Sequence, residues 1–216
     1  MKVVDFSLTN SVVNRFIAEL RDVSIQNDRM RFRRNVERIG EVIAYEISRT
    51  LYYERQDVTT PLGIAPVNVP ADQVVVASIL RAGLPLHTGV LNYFDDAENA
   101  FVSAYRKYID DAEFDIHIEY IASPNLDDKV MILVDPMLAT GGSMQLAYEA
   151  LLTKGTPDRV HIVSVIASRQ AVEYIEEHFP EDTILWVAAI DERLDSHKYI
   201  VPGLGDAGDL CFGEKE

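Results

Sequence analysis

Val130-Met131-Ile132-Leu133-Val134-Asp135-Pro136-Met137-Leu138-Ala139-Thr140-Gly141-Gly142-Ser143 joins five apolar residues to an acid and then to a loop of glycines and hydroxyls. The apolar run fits a strand buried on both faces, and it delivers Asp135 to its carboxyl end. A helical pattern over 143–153 follows. Free N–H groups and the positive end of a helix dipole suit a phosphate, and the glycines let backbone approach it closely. Taken alone, Thr140-Gly141-Gly142-Ser143 fits better a tight strand-to-helix turn capped by Ser143. The acid directly after the strand favours an anion site instead.

Outward from this stretch, further β-branched runs at 74–77, 160–166 and 184–187 predict buried parallel strands. Helical patterns at 84–93 and 170–178 alternate with them, which implies an α/β protein with a parallel sheet flanked by helices. Ligands of such sheets bind at strand carboxyl ends, so the loops after Ala77, Val134 and Val187 are where a site is expected. The first fifty residues predict helices, with Val13, Phe16, Ile17 and Leu20 on one face and Val36, Ile39, Ile43, Ile47 and Leu51 on another. The four arginines within 29–34 predict a solvated or oligomer-facing surface. A Pro- and Gly-marked stretch, 61–70, separates these helices from the strands. Between 106 and 128 the pattern weakens around an alternating piece, 116–120, which predicts a hairpin or a mobile flap.

Twenty basic against 35 acidic side chains leave the 216-residue chain at −15, which repels nucleic-acid backbones and anionic membranes at long range. No nucleic-acid or membrane partner is expected. The single cysteine, Cys211, closes no intramolecular disulfide, and no apolar run is long enough to span a bilayer, so a soluble, cytoplasmic protein is expected. The five histidines show no H-E-x-x-H spacing, and no Walker A or G-x-S-x-G motif occurs. His161 reads as a structural residue within a strand. Gly203, Gly205 and Gly208 spell a formal G-x-G-x-x-G, but the eight residues after Gly208 leave no room for a dinucleotide fold. A glycine-rich loop started by Pro202 suits instead the edge of a small planar ligand, or else a flexible tail.

The 135–143 segment resembles the phosphoribosyl diphosphate (PRPP) loop of type I phosphoribosyltransferases, in the Asp-Pro-Met-Leu-Ala-Thr-Gly-Gly-Ser form of the uracil phosphoribosyltransferases. Ile79-Leu80-Arg81-Ala82-Gly83, Tyr105-Arg106, Thr60-Pro61-Leu62-Gly63 and the closing loop 199–209 resemble further motifs of that family, in order, over about residues 6–213. Gly208-Asp209-Leu210-Cys211-Phe212-Gly213-Glu214 stands where the family usually has Gly-Asp-Arg, an aromatic and Phe-Gly-Thr, so Leu210 replaces an arginine. Leu84-Pro85-Leu86-His87 and Lys107-Tyr108-Ile109 are further departures.

The resemblance implies one phosphoribosyltransferase domain over 1–216, with a hood from about 1–35 and 190–216 and a mobile flap at about 106–128. It implies transfer of phosphoribose from PRPP to uracil, giving UMP and pyrophosphate in pyrimidine salvage. Ala139, Thr140, Gly141, Gly142 and Ser143 would hold the 5′-phosphate beside Pro136, Met137 and Leu138, and Asp135 would accept the ribose hydroxyls. Arg81 and Arg106 would neutralise the leaving pyrophosphate together with Mg²⁺, itself held mainly by PRPP. Ile200, Gly205 and Ala207 would frame uracil through backbone contacts, with Asp206 between base and PRPP. Asp135, Asp206 and Arg106 are the expected catalytic residues, and no side-chain base for uracil N1 is evident. A homodimer or higher homo-oligomer and a GTP effector are implied as well. Two other readings remain: a PRPP- or UMP-binding regulator with weakened turnover, given Leu210, and a phosphoribosyltransferase for another nucleobase.

Overall fold

The computed structural model of the chain describes the backbone of residues 1–108 and 114–214 and, outside 104–118, their side chains. In chain order the elements are β1 (Lys2–Asp5), a 3-10 turn at Phe6–Leu8, α1 (Val12–Arg21), α2 (Arg29–Ser48), β2 (Tyr53–Thr60), β3 (Gly63–Pro70) and β4 (Val74–Leu80). There follow α3 (Leu84–Leu91), β5 (Glu98–Tyr108), β6 (Phe114–Ala122), β7 (Val130–Val134), β8 (Met137–Leu138), α4 (Gly142–Leu152) and β9 (Arg159–Ser168). The chain continues through α5 (Arg169–His178), β10 (Ile184–Asp191), β11 (Arg193–Leu194), β12 (Ile200–Val201) and α6 (Ala207–Phe212).

Eight strands form the main sheet in the order β1-β10-β9-β7-β4-β5-β6, with β8 added beside β9 beyond the end of β7. Every pairing in it is parallel except β5 with β6, which is antiparallel. The period of two along each strand sorts the core. Val74, Val76, Val130, Ile132 and Val134 face α1, α2 and α3, where Leu20, Ile39, Ile43 and Leu86 are buried. Val75, Ala77, Ile79, Met131 and Leu133 face α4 and α5, where Met144, Leu151 and Ile175 are buried. The predicted sheet covered on both faces is thus the observed one. Among the described residues no helix is long and apolar enough to cross a membrane.

Several expectations change in detail. The strands at 74–77 and 184–187 run on to Leu80 and Asp191, so the loops of interest begin three and four residues later. Residues Lys2–Asp5, counted with the hood, form the edge strand beside β10. The Pro- and Gly-marked stretch is one leg of an exposed antiparallel hairpin, β2–β3, whose turn is Pro61-Leu62. The arginine run opens α2, and it is not uniformly solvated: Arg33 donates to Cys211 O (2.6 Å), and Arg34 pairs with Glu37 (2.6 Å) and Glu41 (3.0 Å). Residues 106–108 and 114–122 pair as a hairpin, with Arg106 opposite Ile116. The part of the flap at 109–113 and the Arg106 side chain lie outside the described residues.

Candidate active site

From β4 the chain moves to β5 on one side, whereas β7 lies on the other. The carboxyl ends of β4 and β7 therefore flank the point where strand order reverses, and a crevice opens there in sheets of this kind. Two segments enter it, Arg81-Ala82-Gly83 after β4 and 135–141 after β7.

The second segment is stitched to β9. Asp135 N–H donates to Val163 O (3.1 Å), and Pro136 O accepts from the N–H groups of Val165 (3.1 Å) and Ile166 (3.0 Å). Met137 and Leu138 then pair with Ile166 and Ala167 as β8, and the Ser168 hydroxyl donates to Ala139 O (2.5 Å). Leu138 is buried in the core, so within this segment only its backbone is offered to a ligand. Gly141 sits at φ +86° directly before α4, a left-handed conformation that a side chain opposes. A Cβ there would come 2.6 Å from Tyr174 Cδ1, so the turn is packed as well as bent.

Helix caps divide the molecule informatively. Ser11, Asp28, Ser168 and Asp206 cap α1, α2, α5 and α6 with their side chains. The two helices that start at the crevice, α3 and α4, begin at Gly83 and Gly141 with no side-chain cap. Ser143 is already inside α4, so the capping role considered for it does not apply. The uncapped first-turn amides of α4 retain donors, and with the helix dipole they attract anions; at the start of α3, Leu84 N–H already donates to Arg81 O (3.3 Å) and Pro85 has no N–H.

Arg81 adds a guanidinium. Its Nη2 donates to Asp209 Oδ1 (3.1 Å) and Gly213 O (2.9 Å), while its Nε is buried with no hydrogen-bond partner among the described residues. The Leu80–Arg81 peptide is cis.

The loop leading into α6 closes over both segments. Ala207 N–H points to Met137 Sδ (3.3 Å), and a Cβ on Gly208 would lie 3.9 Å from Ala82 Cβ. Asp206 Oδ1 accepts from Asp209 N–H (3.0 Å) and so caps α6, leaving Oδ2 for other partners. Ile200 and Ala207 are buried and Gly205 is exposed, so any ligand contact at these three would be made by backbone. Leu210 packs beneath Gly205, whose Cβ would meet Leu210 Cδ1 at 3.7 Å. Arg29 lines a hollow of about 250 Å³ beside Leu210, which brings a cation close to that residue.

The structure therefore brings together Arg81, Met137, Asp206 and Ala207 and sets the start of α4 nearby. Asp209 is the residue of this cluster that the motifs did not single out. It falls at the end of the closing loop 199–209 with no role of its own in the sequence reading, and its partner Arg81 is 128 positions away. No group of three or more His, Cys, Asp or Glu among the described residues is placed to hold a metal.

A mostly parallel sheet with an Asp-ended central strand, two uncapped helix starts at its switch point and a closing C-terminal loop defines a type I phosphoribosyltransferase. A hypoxanthine phosphoribosyltransferase from Staphylococcus aureus shares this fold at 13% identity, with a TM-score of 0.51 over 86% of this chain and 84% of that one. The sequence model of the family described as "Uracil phosphoribosyltransferase" matches residues 7–214. A uracil phosphoribosyltransferase of Porphyromonas gingivalis is 64% identical over 215 residues, covering 100% of both chains. One of Methanothermobacter thermautotrophicus is 39% identical over 99% of this chain and 95% of its own. The structure of the AQ2163 protein from Aquifex aeolicus matches with a TM-score of 0.86 at 30% identity, covering 98% of each chain. The chain belongs to the uracil phosphoribosyltransferase family.

Proposed function

We propose that the crevice carries out the family's reaction with the roles that follow: PRPP and uracil give UMP and pyrophosphate. The observation that carries this reading is the uncapped start of α4 beside Arg81, beneath a loop that reaches Met137 through Ala207. PRPP has two anionic ends, and the open helix start of α4 and the guanidinium of Arg81 ahead of α3 match one each.

The backbone of 139–143 holds the 5′-phosphate, and Asp135 accepts hydrogen bonds from the ribose hydroxyls. Arg81 binds the leaving pyrophosphate, its buried unpartnered Nε being one donor still to be satisfied. Arg106 adds a second guanidinium from β5. Ile200, Gly205 and Ala207 present backbone donors and acceptors to the uracil edge, and a ligand there replaces the weak Ala207 N–H to sulfur contact. As the C1′–O bond to pyrophosphate breaks and the N1–C1′ bond forms, positive charge develops on the ribose. Positioning and charge stabilisation then matter more than a strong nucleophile. The uracil N1 proton leaves to Asp206 Oδ2 or to water bound there.

Mg²⁺ fits the residues present as a PRPP-borne ion. Magnesium is usually held by one or two carboxylates plus substrate phosphates, and Asp135 and Asp206 are the carboxylates at hand. When bound it offsets charge on the pyrophosphate oxygens. One domain over 1–216, with the hood from about 1–35, less the edge strand β1, and 190–216, accounts for the closing loop over the crevice. The exposed β2–β3 hairpin, with Val58, Leu62, Ile64 and Val67 open to solvent, is a suitable arm for a homodimer. A GTP effector, on the resemblance alone, and the cytoplasmic location expected from cysteine usage and the short apolar runs complete the reading.

The test is a steady-state assay with PRPP, Mg²⁺ and each nucleobase in turn, with and without GTP. UMP from uracil alone is the expected result. PRPP or UMP binding without turnover overturns the enzyme reading in favour of a regulator, and product from another base overturns the specificity. Undiminished turnover by Asp206→Asn removes the proton-handling role.

A further inference from the structure

Gly203 stands between Ile200 and Gly205, and its φ of +60° turns the chain so tightly that a Cβ would come 2.0 Å from Ile200 O. Such a turn exposes a peptide's N–H and C=O to whatever flanks it, and both must be satisfied when buried. One ion pair meets both. Gly203 N–H donates to Asp191 Oδ2 (3.0 Å), and Gly203 O accepts from Arg21 Nη1 (3.1 Å). Arg21 and Asp191 in turn face each other as a fork, Nη1 to Oδ2 and Nη2 to Oδ1, both at 2.8 Å. Five residues after Arg21, Gln26 Nε2 bridges Leu20 O (2.8 Å) and Leu204 O (2.9 Å).

The three anchors come from different places: Arg21 ends α1, Asp191 ends β10, and Gln26 lies in the α1–α2 connection. Bidentate guanidinium–carboxylate pairing fixes direction as well as distance, which a lysine cannot do. The turn at 203–204 is thereby held from both sides of its backbone. By contrast, the 135–141 segment is tied to β9 through Val163, Val165, Ile166 and Ser168, none of which belongs to this network.

We propose that Arg21 and Asp191 are positioning residues for nucleobase recognition: through the Gly203 peptide they set where the backbone of 200–207 meets uracil, and they leave PRPP binding untouched. This rests on the reading of 200–207 as the base loop. Backbone recognition of a planar edge depends on placement within a few tenths of an ångström, because each donor or acceptor misaligned by loop movement loses most of its hydrogen bond.

Asp191→Asn keeps the size of the side chain but breaks the fork. Arg21→Lys keeps the charge, lies on a side chain partly open to solvent, and keeps the question answerable should Asp191→Asn fail to fold. Charged hydrogen bonds of this kind are worth a factor of about 10 or more, so the uracil KM should rise about tenfold in Asp191→Asn and about threefold in Arg21→Lys. The PRPP KM and kcat should stay within about twofold, and urea midpoints are measured in parallel. A purely structural role would lower kcat with the folded fraction and leave the uracil KM alone. An active wild type whose folded variants keep the wild-type uracil KM, or raise the PRPP KM equally, overturns this inference alone. A wild type that forms no UMP overturns the base-loop reading and this inference with it.

Discussion

Arg81 and Asp209, 128 residues apart in sequence, form an ion pair of 3.1 Å across the mouth of the crevice. The guanidinium assigned to pyrophosphate is thus engaged by α6. PRPP must compete with Asp209 for it. Half-exposed pairs of this kind contribute about 0.2–1 kcal/mol, so Asp209→Asn should lower the PRPP KM by up to about fivefold. Initial-rate measurements at saturating uracil check this, and an unchanged or raised PRPP KM removes the competition.

Gly141→Ala meets two obstacles at once, the left-handed φ of +86° and the Tyr174 ring at 2.6 Å. The backbone alone costs about 1–2 kcal/mol, and the loop that yields is the one assigned to the 5′-phosphate. The PRPP KM should rise by about tenfold or more while the uracil KM moves little. Adding Tyr174→Ala should recover only part of the loss, because it relieves the contact and not the φ. Full recovery would show that packing alone matters at this position.

Acid should weaken the fold through His161. Burial, reinforced by the charge of Arg159, holds its imidazole down to about 4 from an ordinary 6.5. Between those values the unfolded chain binds the proton and the folded chain does not, so stability falls as pH drops from about 6.5 to about 4. The loss amounts to about 3 kcal/mol. Burial lowers His87 in the same direction. His161→Asn keeps an acceptor for Trp186 Nε1, bound at 3.0 Å to His161 Nδ1, and should flatten the decline. Urea midpoints at pH 7 and 4.5 for both proteins decide the matter; equal slopes would assign the decline to other groups.

Leu62 is fully exposed and Ile64 is 71% exposed at the tip of the β2–β3 hairpin. If the hairpin clasps a second subunit, Leu62→Asp or Ile64→Asp should weaken the dimer about 10- to 100-fold, the worth of one buried aliphatic side chain. Sedimentation velocity over a concentration series measures it. A wild-type chain that stays monomeric at micromolar concentration rules the arm out.

What could be read from the sequence was local. Five apolar residues before Asp135, and a glycine-rich loop after it, carried enough pattern to place β7, the switch-point loop and α4 within a residue. β1 escaped because a four-residue strand with two valines offers no period to read, and β8 escaped because Met137-Leu138 looks like loop. The β2–β3 hairpin escaped because both its faces are open, which removes the alternation that marks a half-buried strand. The Arg81–Asp209 and Arg21–Asp191 pairs escaped for a different reason. Each partner is an ordinary charge in its own segment, and only the sheet's crossover brings the two together.

Trp186 is the chain's single tryptophan, 3% exposed on β10, with its indole N–H bound to the neighbouring strand's His161. Its indole therefore sits in the sheet's interior with its polar end satisfied, and unfolding moves it from that apolar setting into water. The protein carries its own optical gauge of unfolding. A denaturation curve can be read from that one fluorophore while the crevice is filled, emptied or mutated, with no label added.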